Sequence, residues 1–383
     1  MKERANAVGD PVEVPAWAAA LWFLGPYGFA AAVVATTPTT TTASAAADLA
    51  LIAGLMLEQV AVVYWCPRLG SAAGVASVAA ALISLWLWAS RLSCGPIRSM
   101  LTMELCMNGF FRQMQLLSSS RLRRRSFAHR LAFVTIFHDV DTAARWEPAS
   151  QPIRKATSVA CRDLVASLAA AVATGLCLRH TLPPAPPLTP SLPIWMLILR
   201  TTCGIVFIYA ALTLIDTAYR VSLLMVRPRA IVCAPAMDAP YLAESFAEFW
   251  SKRWDRPMQG ILFHGVFLPC KKMLGLGTPA CVFLTFFVSG AVHTLGLAVS
   301  GWVSWASCAM MLSFFMAHAV LTLGEAACFS RRTQNVRPDG ERCGHRNNAT
   351  TDNRRGCGWA MTTFLCFLSA PLFVIPFLEL IQL

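Results

Sequence analysis

The chain has 383 residues, 56% of them hydrophobic and 14% charged, with a formal net charge of +12. Length alone would allow two or three soluble domains, but several apolar runs reach about twenty residues, enough for a helix to cross the ~30 Å hydrocarbon core. That excludes a soluble architecture, and the runs are too long and too little alternating for a β-barrel.

The fold class is therefore all-α: a polytopic membrane protein of about eight transmembrane helices plus re-entrant or interfacial helices. Lys and Arg cluster in loops, as suits an anionic cytoplasmic leaflet, so the positive charge does not imply nucleic acid. It would also attract a polyanionic substrate. The fourteen cysteines are scattered without a CxxC pair and read as small apolar residues of a reduced protein.

Met1–Pro15 is a short polar head, and Ala16–Ala35 a first span. That span is long for a signal-peptide core, which favours an uncleaved anchor over cleavage near Ala43-Ser44-Ala45. Thr36–Ala47 reads as a low-complexity linker, Asp48–Trp65 as the second span and Ser71–Ser90 as the third. Arg91–Ser158 is a long basic segment between spans, in which Ile97–Leu117 has the period of an interfacial amphipathic helix. Val159–Leu178 is the fourth span, Leu182–Pro193 a proline-rich connector, and Ile194–Ile215 the fifth. Ile261–Cys270 is too short to cross and ends at Lys271-Lys272, so it reads as re-entrant or interfacial. Pro279–Val299, Trp302–Leu323 and Trp359–Leu380 complete the spans, the last bent by Pro371 and Pro376. If Ile261–Cys270 does not cross, the basic loops Arg91–Ser158 and Phe329–Gly356 share one side with Lys252-Arg253, the cytosol.

Two stretches carry candidate chemistry. The first is Phe249-Trp250-Ser251-Lys252-Arg253-Trp254-Asp255-Arg256, an aromatic and basic patch. Its tryptophans could be interface anchors and its cations snorkelling side chains. Alternatively, the cations meet phosphates while the aromatic rings wall an acyl or adenine channel. The second is Phe286-Phe287-Val288-Ser289-Gly290-Ala291-Val292-His293. An ionisable group in an apolar run is costly and marks a site; the alternative is a structural histidine whose small neighbours serve helix packing. His318, Thr322 and Glu325 share one helix face, and His318 and Glu325 are candidates to orient a histidine from behind. Three patterns are set aside. Gly275–Ala280 imitates a dinucleotide fingerprint without a βαβ unit. Cys343, His345 and Cys357 lack zinc spacing, so no metal is expected. Asn348-Ala349-Thr350 is a sequon placed in the cytosol.

These blocks resemble the wax synthase-like branch of the membrane-bound O-acyltransferase superfamily. That branch has a block of the type FWGRRW followed by Asn or His, then F-x-x-SG-x-x-H, then F-F-x-x-H…E. Here Phe314-Phe315-Met316-Ala317-His318 and Glu325 match the third block, and the resemblance runs from about Pro240 to the C-terminus. It divides the chain into a membrane scaffold over 1–239 and an acyltransferase region over 240–383, within one structural domain. Two departures stand out: Asp255 where the family has Asn or His, and Thr294 where plant members have Glu.

The resemblance implies acyl transfer from acyl-CoA to the hydroxyl of a lipophilic alcohol, with acyl-CoA as co-substrate and no bound cofactor. A long-chain fatty alcohol is the first expectation, a sterol or terpenoid or diacylglycerol the others. A transporter or scaffold is the alternative of another class, although no internal repeat supports it. His293 is expected as general base, with Asp255 and Trp254 beside it in the catalytic group. Phe249, Trp250, Lys252, Arg253, Arg256, Ser289 and Gly290 are expected to bind substrate. The setting expected is the endoplasmic reticulum membrane, with the motif loops facing the cytosol; the sequence assigns no oligomeric state.

Overall fold

The long apolar runs fold as helices because, away from water, a helix satisfies every backbone N–H and C=O within one segment. The computed structural model describes residues 42–65, 110–135, 145–147, 151–180, 193–224, 230–232, 235–334 and 348–380, with isolated residues between 16 and 102. Its long helices are α1 (Thr42–Trp65), α2 (Gln151–His180), α3 (Ile194–Leu224), α4 (Thr278–Ser300), α5 (Trp305–Gln334), α6 (Asn348–Ser369) and α7 (Pro371–Leu380).

Among the described residues, five helices are long and apolar enough to cross a membrane: Ala45–Trp65, Thr157–Arg179, Ile194–Val221, Thr278–Ser300 and Trp305–Cys328. Gly358–Ser369 and Pro371–Leu380 make a sixth as one span bent by 41°. These correspond to six of the expected spans, and the bend falls at Pro371 as proline's missing N–H requires. The expected spans Ala16–Ala35 and Ser71–Ser90, and most of the amphipathic stretch Ile97–Leu117, lie outside the described residues. Ile261–Cys270 is not among the spans. It lies in short helices Arg256–Leu262 and Leu268–Lys272 joined by a π turn at Phe263–Phe267.

One expectation needs correcting. Thr42–Ala47 is the first turn and a half of α1 rather than linker, because alanine is the strongest helix former and four of these six residues are alanine. The all-α architecture holds among the described residues, with one small addition. Arg145–Glu147 pairs antiparallel with Ala230–Val232, a three-residue ribbon on an otherwise helical protein.

The chain divides into two units, one of residues 1–93, 108–160 and 219–234, the other of residues 94–107, 161–218 and 235–383. In the first, α1 meets the helix Phe127–Thr135, and a buried hydrogen bond runs from Gln113 Nε2 to Gln59 Oε1 at 2.9 Å. Arg112 is buried there with its guanidinium 4.9 Å from the Phe133 ring centre.

The second unit is built on the hairpin of α4 and α5. Gly301 at φ 70° ends α4 in the left-handed conformation that glycine tolerates. Ser304 then caps α5, accepting from the Ser307 N–H at 3.2 Å, while its own N–H reaches Glu379 of α7 at 2.9 Å. The shared core is Leu297, Cys308, Met311, Phe314, Phe315 and Leu380. A second cluster, Leu178, Ile208, Val374 and Leu378, joins α2 and α3 to α7. Threonines inside spans return their hydroxyl hydrogen to the carbonyl four residues back, as at Thr174, Thr213, Thr285 and Thr322. Trp65, Trp195, Trp305 and Trp359 are exposed at span ends, where an amphipathic ring suits the headgroup layer.

Gly290 sets the α4–α5 approach: a Cβ there would lie 2.9 Å from Phe315 Cβ. At Gly324 of α5 a Cβ would meet nothing within 4 Å. Gly290→Ala is therefore expected to cost about 1–3 kcal/mol through overpacking, whereas Gly324→Ala is neutral or gains up to about 1 kcal/mol. Thermal midpoints of the purified protein in one detergent test this; equal shifts would show that the α4–α5 contact yields freely.

Candidate active site

The second unit assembles the first block on a clamp of backbone turns. Asp216 of α3, buried, accepts the Ala236 N–H at 3.2 Å. The turn beginning there then pairs with the end of the block: Asp238 N–H to Arg253 C=O at 2.8 Å, and Arg256 N–H to Ala236 C=O at 3.0 Å. Ser245 caps the short helix Phe246–Glu248 by accepting the Glu248 N–H at 2.9 Å, and the Glu248 carboxylate reaches back to the Glu244 N–H at 2.9 Å. Partial burial works to raise the Glu248 carboxyl, but the Glu244 N–H and the Arg253 and Lys252 charges outweigh it and hold the pKa below its ordinary value.

Phe249–Arg253 then winds as a π turn, closed by the Trp254 N–H on the Phe249 carbonyl at 2.9 Å. The wider turn stacks Phe249 on Trp254 at 5.5 Å between ring centres and 15° between planes. It also aims Trp250 inward, where its indole N–H donates to His318 Nδ1 at 2.9 Å.

The cations of this block are largely committed. Arg253 bonds Glu248 at 2.8 Å and the Asp238 and Ala239 carbonyls at 3.2 and 3.4 Å. Arg256 pairs with the Asp238 carboxylate and donates to the Lys252 carbonyl at 2.7 Å. Lys252 alone is exposed and makes no side-chain hydrogen bond among the described residues.

Asp255 occupies the turn between the π turn and the next helix at φ 45° and ψ 59°, a left-handed conformation in which Asn, Asp and His are enriched. Its carboxylate caps Arg256–Leu262 by accepting the Met258 N–H at 3.3 Å. Crowding by protein pushes its pKa up, opposed by that N–H and helped by the nearby Asp216 charge, to about 7.

The second block lies on α4. His293 Nδ1 is 2.8 Å from the Ser289 carbonyl oxygen, which can only accept, so Nδ1 carries the hydrogen and Nε2 keeps its lone pair. No other residue among those described hydrogen-bonds this ring. Phe315 covers it at 4.8 Å and Phe373 at 6.2 Å between ring centres. Gly290 lies in the contact with α5, and the Ser289 hydroxyl, like the Trp254 indole N–H, makes no hydrogen bond among the described residues. Thr294 donates weakly to the Cys308 carbonyl of α5 at 3.5 Å.

His318 and Glu325 do not contact His293. His318 is buried between Trp250 and Ser369, whose hydroxyl lies 2.8 Å from its Nε2. Glu325 accepts the Ala247 N–H at 3.2 Å and so fastens the start of the aromatic block to α5. The link between the blocks is aromatic: Trp250 lies 6.2 Å from Phe315, which covers His293. Asp216, Asp238 and Ser369 were missed in the sequence. A carboxylate at the end of an apolar helix was a legible signal for Asp216, and Ser245-x-x-Glu248 for the cap; nothing local marks Ser369.

Residues 233–317, which hold both blocks, match the model of the membrane bound O-acyl transferase family. The chain is similar to "Probable long-chain-alcohol O-fatty-acyltransferase 3" of Arabidopsis thaliana, 34% identical over 124 residues, covering 27% of this chain and 33% of that protein. "Probable long-chain-alcohol O-fatty-acyltransferase 1" of the same plant is 30% identical over 147 residues, covering 34% and 41%. "Acyl-CoA--sterol O-acyltransferase 1" is 36% identical over 66 residues, covering 16% and 19%. The chain thus spans about a third of the length of the curated relatives it matches. The resemblance to the wax synthase-like branch of the membrane-bound O-acyltransferases is borne out.

The folded pKa of Asp255 lies above the 3.8 of an ordinary aspartate, so between about pH 4 and 7 the folded state binds more protons than the unfolded one. The contribution of this carboxyl to stability therefore falls as pH rises through that window. Asp255→Asn keeps a capping oxygen and a residue at ease in the left-handed turn. Its thermal midpoint is expected to exceed that of the wild type at pH 8, with the gap closing toward pH 4; a gap of opposite sign would make the carboxylate charge favourable.

Proposed function

We propose that the protein is an acyl-CoA-dependent O-acyltransferase of the wax synthase type, joining a fatty acyl group to the hydroxyl of a long-chain alcohol within the membrane. The observation that carries this reading is the His293 tautomer, with Nδ1–H held by the Ser289 carbonyl and the Nε2 lone pair uncommitted. That is the state a general base needs before an alcohol arrives.

In the reaction, Nε2 takes the hydroxyl proton as the alcohol oxygen attacks the thioester carbonyl. The oxyanion of the tetrahedral intermediate needs donors, and the Trp254 indole N–H and Ser289 hydroxyl are uncommitted ones. The C–S bond then breaks, the thiolate of coenzyme A leaves, and the imidazolium returns its proton to sulfur. Exposed Lys252 suits a coenzyme A phosphate better than Arg253 or Arg256, which are already paired. Phe249 and Trp250 would line the acyl path, and Asp255 would act through the turn it caps rather than on the substrate. Membrane lipids surround the spans, and the endoplasmic reticulum with the motif loops in the cytosol is the setting that fits the basic loops.

The alcohol is supported by the names of two relatives matched over longer stretches than the sterol enzyme. A sterol acceptor is the second reading, on that shorter match.

The test is transfer from radiolabelled acyl-CoA in microsomes of a lipid-ester-deficient host, with fatty alcohols, sterols and diacylglycerol as acceptors. Wild type is expected to form wax ester, and His293→Ala at equal expression to lose about 10²–10⁴-fold in rate. Steryl ester alone would select the second reading. No ester from any alcohol, or ester untouched by His293→Ala, would overturn the mechanism.

A further inference from the structure

His318 belongs to a chain of hydrogen bonds with only one consistent polarity. An indole N–H can only donate, so His318 Nδ1, 2.9 Å from Trp250 Nε1, must accept. The neutral imidazole then carries its hydrogen on Nε2 and donates it to Ser369 Oγ at 2.8 Å. Ser369 passes its own hydrogen to the carbonyls of Leu365 and Cys366, at 2.9 and 3.1 Å. Without the serine oxygen, Nε2–H has no acceptor, so the tautomer that accepts from Trp250 leaves a buried donor unpaired and the ring loses one of the two bonds that fix it.

The place of Ser369 in the fold gives this chain its reach. It is the last residue of α6, at the 41° bend before α7. Just past the bend, Phe373 turns back to meet Phe314 at 5.1 Å and the His293 ring at 6.2 Å. Trp250, at the other end of the chain, rests edge-on against Phe286 at 5.6 Å and near Phe315, which covers His293. The bent span thus approaches the reacting histidine from two sides, through a ring and through a hydrogen-bond relay.

We propose that Ser369 is a positioning residue which, by accepting the His318 Nε2–H and so anchoring that ring, fixes the Trp250 indole against the rings that cover His293. Its kinetic consequence rests on the acyl-transfer reading; its structural consequence does not.

The experiment uses the full-length protein in detergent and follows two readouts. The first is the ultraviolet resonance Raman signal of the Trp250 indole N–H, isolated as wild type minus Trp250→Phe. The second is kcat/KM for acyl transfer to the alcohol. Ser369→Ala is expected to shift the indole signal toward a weaker hydrogen bond and to lower kcat/KM about tenfold, while Ser369→Thr, which keeps the hydroxyl, stays near wild type on both. In a Trp250→Phe background, Ser369→Ala is expected to cost almost nothing further, because both changes sever one chain. An unmoved indole signal, or an undiminished loss in that background, would overturn the proposal. If the wild type makes no ester at all, the acyl-transfer reading fails while the indole signal still decides the hydrogen-bond chain.

Discussion

A polar group placed among apolar spans must find its partner inside the protein, because hydrocarbon offers none. That constraint organises the second unit. Asp216, Glu325 and Glu379 each accept a backbone N–H that begins a turn or helix elsewhere in the chain. His318 and Ser369 satisfy each other and the Trp250 indole. The result is that α5 is fastened along its length: by Glu379 at its start, by His318 in its middle and by Glu325 near its end. The aromatic block is held by these bonds together with the ring contacts of Trp250 with Phe286, Phe314 and Phe315.

The spans were legible in the sequence because hydropathy and proline report directly on what lipid and backbone allow. Six fall where the apolar runs place them, and Pro371 marks the bend. Thr42–Ala47 is low in complexity, yet the helix preference of alanine decides its conformation and makes it the start of α1. The site was legible only in outline. Motif blocks bring out His293 and Trp250, but hydrogen-bond partners between blocks depend on which way each helix faces, and sequence spacing within one helix does not encode that. Glu325 shares a helix face with His318 yet serves a backbone amide of the aromatic block, and Ser369 carries no local mark of its role.

The basic patch shows the same limit from the side of charge. Arg253 and Arg256 look from the sequence like anion ligands, but Glu248 and Asp238 lie within reach once the turns close. Their guanidinium forks also bond backbone carbonyls, which a lysine could match only in part. Lys252 is exposed and has no such partner among the described residues.

Asp255 is where the departure from the family pattern becomes intelligible. A residue at φ 45° that must also cap the following helix needs a short polar side chain tolerant of the left-handed region. Asn, Asp and His are the types enriched there, and they are the types that the pattern and this chain present at the position. The backbone therefore accounts for the choice without assigning the side chain to the reacting atoms. The two histidines divide by the same kind of argument. His293 points its hydrogen at a carbonyl one turn back and keeps Nε2 open, whereas His318 spends both nitrogens on neighbours. A base must have a lone pair to offer, and of these two rings His293 has it.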